Sequence, residues 1–112
     1  MTILLVEDIE DTLEATRLLL EELSADLLVA RDGVDAMRVL ARSHPDIVLC
    51  DLRMPRMDGF EFLLELSRLR GPDHPPVVAV SALATEAEHR RTRAVRQRSQ
   101  KFAFLVPAAV KP

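Results

Sequence analysis

The residues of this sequence that could do chemistry are acids set at the ends of apolar runs. Ile47-Val48-Leu49-Cys50 is followed at once by Asp51, and Ile3-Leu4-Leu5-Val6 by Glu7 and Asp8. A third run, Val77 to Val80, ends in Ser81 beside the small Ala82. Short apolar runs rich in β-branched residues and bounded by turn formers read as buried parallel strands. In an open α/β sheet the ligand crevice lies beyond the carboxyl ends of such strands. A lone aspartate there can be a plain strand terminator, but Met54-Pro55 and Asp58-Gly59 fix a loop and a helix start immediately beside Asp51. If Glu7, Asp8 and Asp51 meet, their mutual repulsion favours protonation unless a cation compensates, which predicts a hard divalent ion bound by oxygen. Mg2+ is the first choice, because it takes one or two carboxylates and keeps waters that an incoming phosphate can displace. A carboxylate beside such an ion can attack phosphorus to form an acyl phosphate. Ser81 could then donate its hydroxyl to a phosphoryl oxygen, with a lysine neutralising the charge.

The elements that must position these residues follow from the patterning. Thr2 to Val6 is a strand, and Glu10 to Leu23 an amphipathic helix carrying Leu13, Thr16, Leu20 and Leu23 on its apolar side. Asp26 to Ala30 is a short strand, Arg31-Asp32-Gly33 a turn, and Val34 to Ala41 a helix with Val34, Met37, Leu40 and Ala41 inward. After the strand that delivers Asp51, Phe60, Leu63, Leu64, Leu66 and Leu69 line a third helix, stopped by Gly71-Pro72 and Pro75-Pro76. Val77 to Val80 is the fourth strand. Thr85-Glu86-Ala87-Glu88 is a capping box that starts a fourth helix running toward Arg98, and Phe102 to Val106 is a fifth strand. Strands alternating with helices imply a doubly wound α/β domain with a parallel sheet. In the strand order 2-1-3-4-5 the first and third strands are neighbours at the switch point, which brings Glu7, Asp8 and Asp51 together.

Composition limits the alternatives. The 112 residues are 48% hydrophobic and 29% charged, enough for one core and one domain. The net charge of -3 makes no general case for nucleic acid or a membrane surface. The charge is uneven, however, with acids concentrated between Glu7 and Asp26 and bases between His89 and Lys101. The basic tract from Arg90 to Arg98 reads first as the solvated face of a helix and second as a docking surface. Nucleic-acid binding comes third, lacking aromatics and a recognition motif. The single cysteine, Cys50, sits inside an apolar run and is a core residue of a reducing, cytoplasmic compartment. The opening apolar run is too short for a signal peptide or a membrane span. His44, His74 and His89 lack the spacing of a metal site or a triad and read as surface residues.

Leu4-Leu5-Val6-Glu7-Asp8, the stretch from Asp51 to Gly59, and Val78-Ala79-Val80-Ser81-Ala82 together resemble the receiver domain of two-component response regulators and hybrid histidine kinases. The pattern runs from Met1 to about Ala87. The resemblance implies a flavodoxin-like five-stranded fold with Asp51 as phosphoacceptor. It makes Asp8 and Asp51 direct Mg2+ ligands, with Glu7 acting through water and Arg53 through its backbone carbonyl. Ser81 becomes the switch hydroxyl, Ala82 the small neighbour that leaves the aspartate accessible, and Phe104 the aromatic switch position. Receivers end their fifth strand in a lysine followed by proline, then a final helix. Lys111-Pro112 has that form, and its X-Pro bond makes Lys111 the favoured coupling lysine, although it lies 30 residues beyond Ser81, longer than the family uses, and no final helix follows. With Phe102 to Val106 as the strand in ordinary register, Pro107 falls at the lysine position, while Lys101 precedes the strand. The region 88–112 is therefore atypical and 1–87 regular within one domain.

The expectation is a phosphoacceptor domain rather than an enzyme. It takes a phosphoryl group from a histidine kinase or histidine phosphotransfer protein and changes a surface read by a downstream protein partner. A degenerate receiver serving as a constitutive interaction module is the alternative, and an under-covered sheet face favours a homodimer or domain exchange. A phosphohydrolase using an aspartyl phosphate would carry a second acid two residues after the nucleophile, where this chain has Arg53.

Overall fold

Continuous apolar runs build the centre of the molecule, because a strand covered on both faces has no polar side to show. The computed structural model describes residues 1–80, 85–99 and 101–105. Its strands are β1 (Thr2–Val6), β2 (Asp26–Ala30), β3 (Ile47–Asp51), β4 (Val77–Val80) and β5 (Phe102–Leu105), all parallel, in the order β2-β1-β3-β4-β5. Between them lie α1 (Glu10–Glu22), α2 (Gly33–Leu40), α3 (Gly59–Arg70) and α4 (Glu86–Arg98), with a short 3-10 turn at Gly71–Asp73. The α/β, flavodoxin-like order expected from the sequence is therefore the observed one.

The alternation of side chains along each strand separates the two faces. Leu4 and Val6 of β1, Val48 and Cys50 of β3, and Val77 and Ala79 of β4 share one core with Ala36 and Leu40 of α2. Phe60, Phe62, Leu63 and Leu66 of α3, Val95 of α4 and Phe102 of β5 complete it. Full burial of each large side chain there contributes roughly 1.5–3 kcal/mol before entropy is counted. Phe60 and Phe102 meet with ring centroids 5.7 Å apart, joining α3 to β5. The helix α1 lies across the other face, where Thr12 and Thr16 look onto Leu5 and Leu49.

The apolar faces of the helices differ in detail from the sequence expectation. On α1 only Leu13 is buried, and Leu23, the C-cap residue, is 76% exposed. Val34 and Ala41 of the second helix are exposed, and its buried residues are Gly33, Ala36 and Leu40. On α3, Leu64 and Leu69 face outward and Phe62 is wholly buried in their stead. His74 also corrects the reading of three surface histidines. It is 2% exposed, with Nδ1 against the Pro75 carbonyl at 2.7 Å and Nε2 against the Ser99 hydroxyl at 2.9 Å, whereas His44 and His89 are exposed. The polar imidazole can be buried there because both ring nitrogens find partners.

Candidate functional site

Register decides what meets at the carboxyl end of the sheet. Val6 pairs with Cys50 across β1 and β3, and Asp51 pairs with Val80 across β3 and β4. Glu7, whose backbone N–H still reaches the Ala30 carbonyl at 2.9 Å, thus comes just beyond the last β1–β3 pair, beside Asp51. This is the switch point of the sheet, where β1 connects to β2 on one side and β3 to β4 on the other.

The three acids brought together there differ in environment. Glu7 is 5% exposed, and its carboxylate accepts the Asp8 N–H at 3.0 Å. Burial pushes the Glu7 carboxyl above its ordinary range, and the charge of Asp51 pushes it further. Asp51 is half-buried, and Oδ1 accepts the Arg53 N–H at 3.1 Å. Burial raises the Asp51 carboxyl too. The Arg53 N–H and guanidinium oppose that rise, and the neighbouring Asp8 adds to it. Asp8 itself is exposed. The cluster is thus an excess of negative charge that the described protein groups only partly compensate.

Among the described residues, no group of three His, Cys, Asp or Glu side chains is placed to hold a metal ion as a cage by itself. A cage is not what Mg2+ needs, since one or two carboxylates with a carbonyl and retained waters suffice. An oxygen-only set of under-compensated carboxylates fits a hard cation of this kind. An open cavity of about 340 Å3 begins at these acids and continues along the sheet, lined by Glu7, Asp51, Cys50, Leu5, Leu49 and Val80 and roofed by Thr12 and Thr16. The thiol of Cys50, which precedes Asp51 on β3 and points into the core, is pushed up to about 12, by burial first and then by Asp51 and Asp58.

The loop from Leu52 to Asp58 holds Asp51 in place. Leu52 and Met54 are buried, so the loop is pinned from beneath. Arg56 has φ 67°, a left-handed backbone that a non-glycine residue adopts at some cost. Its guanidinium bonds the Asp32 carboxylate, which also caps α2 by accepting the Asp35 N–H at 2.8 Å. Gly59 brings the start of α3 against the strand end. Its N–H reaches the Leu52 carbonyl at 2.8 Å, and a Cβ there would meet Leu52 Cα at 3.3 Å and the Asp51 carbonyl at 3.4 Å. Asp58 caps α3 reciprocally with Glu61.

Two ionic links then cross from this loop to α4. Arg53 donates Nε to Glu88 Oε2 at 3.1 Å and Nη2 to Glu88 Oε1 at 2.9 Å. One turn further along, Arg91 donates to Asp58 Oδ2 at 3.2 Å and lies 4.3 Å from the centre of the Phe60 ring. Sequence reasoning identified Thr85 and Glu88 as a capping box, and the box is present. It missed the second duty of Glu88 and the roles of Arg91, Asp58 and Asp32. Partners 24 to 35 residues apart leave no local signal.

Of the remaining sequence candidates, Ser81, Ala82 and Lys111 lie outside the described residues, as does the side chain of Phe104. Lys101 stands at the far end of the sheet, with its Nζ donating to the carbonyls of Pro72 and His74 at 2.7 and 3.1 Å, and so cannot serve Asp51. β5 pairs Val80 with Leu105, the ordinary register that leaves Lys111 six positions past the last described strand residue.

Comparison with known proteins agrees with this geometry. The family model for the response regulator receiver domain matches residues 3–102, including the region beyond Ala87. Regulator of RpoS from Escherichia coli is 41% identical over 86 residues, 77% of this chain but 25% of that protein, so the chain spans about a quarter of that relative. The polar-differentiation response regulator DivK of Brucella ovis is 30% identical over 92 residues, 82% of this chain and 75% of DivK. Among solved structures, the signal receiver domain of a Syntrophus aciditrophicus histidine kinase superposes with TM-score 0.78 at 28% identity, over 96% of this chain and 78% of that one. The receiver domain of the Pseudomonas aeruginosa sensor histidine kinase PA1611, which holds a magnesium ion in its active site cleft, gives TM-score 0.78 at 25% identity over 96% and 84%. With the switch-point acids, the strand order and these relatives in agreement, the chain belongs to the response regulator receiver domain family.

Proposed function

We propose that Asp51 accepts a phosphoryl group from a phosphohistidine donor, and that the resulting acyl phosphate changes a surface read by another protein. The observation that carries this reading is the meeting of Glu7, Asp8 and Asp51 at the carboxyl ends of adjacent strands, with the Arg53 N–H on Asp51 Oδ1. In the transfer, a carboxylate oxygen of Asp51 attacks phosphorus, the P–N bond of the donor breaks, and the departing imidazole takes up a proton. The Arg53 N–H holds one oxygen so that the other can act as nucleophile, a positioning role. Glu7, Asp8, Asp51 and the backbone carbonyl of Arg53 would hold Mg2+. Bound there, the ion supplies the positive charge that lets a phosphoryl group approach three acids. A histidine kinase or histidine phosphotransfer protein is the donor this chemistry requires. Ser81 and Lys111 are retained as the hydroxyl and cation expected to contact the phosphoryl oxygens.

Incubation with acetyl phosphate and Mg2+, followed by intact-mass measurement, tests the assignment. A single phosphoryl adduct that is absent in Asp51→Asn is expected. An adduct of equal yield in that variant would overturn the role of Asp51.

A further inference from the structure

We propose that Arg53 is the positioning residue through which a phosphoryl group on Asp51 acts on α4, its guanidinium being drawn from the Glu88 carboxylate toward the phosphoryl oxygens. The inference rests on the reading of Asp51 as the phosphoacceptor. Arg53 connects both ends of this exchange, because its N–H is bonded to Asp51 Oδ1 while its side chain forks onto Glu88 through Nε and Nη2. The two partners are held unequally. The Glu88 side chain is 15% exposed and is fixed by the Thr85 N–H at 2.9 Å, whereas the Arg53 side chain is 55% exposed and lies at the solvent edge. The guanidinium is the partner nearer solvent, and the carboxylate is the one tied into the helix cap.

Charge sets the direction. The phosphorylated side chain carries about -1.5 to -2 charge on three acceptor oxygens in place of the single charge of the Asp51 carboxylate, against the single charge on Glu88. Both acceptors match the planar fork of an arginine, so the more highly charged one two residues away competes effectively. Among the described residues, loss of the guanidinium leaves the Glu88 carboxylate with the Thr85 N–H as its partner. The second link, from Arg91 to Asp58 with the guanidinium over Phe60, does not involve Arg53 and holds the next turn of α4 in place. The response is therefore local, strongest at Thr85 to Glu88 and fading by Val95, so that the first turn of the helix pivots about Arg91.

The test uses amide NMR spectra with Mg2+ and beryllofluoride, a phosphoryl mimic whose 19F resonance reports binding independently. In the wild type, bound fluoride signals should accompany shifts in the first turn of α4 that fade along the helix. Glu88→Gln keeps the hydrogen bonds of the cap but removes the charge that holds Arg53. It should show the bound 19F signals with the α4 response lost. Without beryllofluoride, Arg53→Gln and Glu88→Gln should move the amides of Ala87 and His89 in the same direction, toward the wild-type bound positions. Absence of bound fluoride in the wild type would count against the phosphoacceptor reading itself. Bound fluoride with an unchanged α4, or with an equal α4 response in Glu88→Gln, would overturn the role of Arg53, as would opposite displacements in the two variants.

Discussion

Replacing Asp51 with asparagine should stabilise the fold in the absence of divalent cations. The substitution is close to isosteric, and an asparagine carbonyl oxygen can keep the bond from the Arg53 N–H that Oδ1 now accepts at 3.1 Å. What it removes is one charge from a cluster in which burial and mutual repulsion hold the Glu7 and Asp51 carboxyls above their ordinary range. At an effective dielectric constant of about 20, two like unit charges within several ångströms of each other repel by about 2–4 kcal/mol. Solvent at the exposed Asp8 and the nearby guanidinium of Arg53 cancel more than half of this, leaving a gain of about 1 kcal/mol, or about 4 °C in Tm for a domain of this size. The pH dependence has a definite sign. A carboxyl raised on folding is penalised for being ionised in the native state, so the wild type is at a disadvantage near neutral pH. That disadvantage disappears as the pH falls through the raised Asp51 value and the native protein takes up the proton. Thermal unfolding with a chelator, near neutral pH and again in acid, measures both effects. Added Mg2+ should narrow the difference, because a ligand of the native wild type stabilises it by mass action. An Asp51→Asn protein that melts at or below the wild-type temperature in chelator near neutral pH would refute the argument, as would a gain that persists undiminished in acid.

The same structure makes sharp statements at two other positions. Asp32→Ala removes the α2 cap and the partner of Arg56 and should cost about 1–2 kcal/mol in urea titrations. The Asp35 N–H and the Arg56 guanidinium hold the Asp32 carboxyl below its usual range. The cost should therefore be full above the ordinary carboxylate range and shrink as pH falls through the depressed value; a pH-independent cost would contradict it. Cys50, buried and with its thiol pushed up to about 12, should resist iodoacetamide in native buffer and react once urea is added, as read by intact mass. Rapid alkylation of the folded protein would show that the core around β3 opens in the native state.

The sheet was legible because its physics is local. Thr2–Val6, Asp26–Ala30 and Val77–Val80 are observed at the positions the apolar runs mark, and Thr85 and Glu88 close the capping box that their spacing predicts. The strand order then followed from βαβ alternation together with the resemblance. The helices were read less well, because a leucine-rich helix offers more apolar positions than a thin sheet can cover. Leu18, Leu19 and Leu23 stay exposed around α1, and on α3 the buried stripe runs through Phe62 rather than Leu64 and Leu69. His74 was misjudged because its burial depends on a carbonyl next to it in a turn and on Ser99, 25 residues away. The acids at the switch point were legible because each ends or follows a strand; the side-chain pairings of Arg53 and Arg91 were not, because they form only after α4 has docked.

The loop after Asp51 gathers these long-range partners into one unit. Arg56 ties it to the cap of α2, Asp58 to the cap of α3, and Arg53 and Asp58 to successive turns of α4. Two of the carboxylates in these links, those of Asp32 and Glu88, are held below their usual range, so each remains a charged partner where Asp51 and Glu7 are strained by charge. For Glu88 burial works the other way, and the Thr85 N–H and the Arg53 guanidinium outweigh it. A change of charge at Asp51 is therefore felt first by the arginine nearest to it, and the helix that arginine holds is the basic one, with Arg90, Arg93 and Arg96 turned to solvent. Links made of charge rather than of packed apolar surface can be rebalanced by a single added phosphoryl group without breaking the core beneath them. The apolar contacts of Phe60, Phe102 and Val95 hold α3, β5 and α4 together independently of those ionic links.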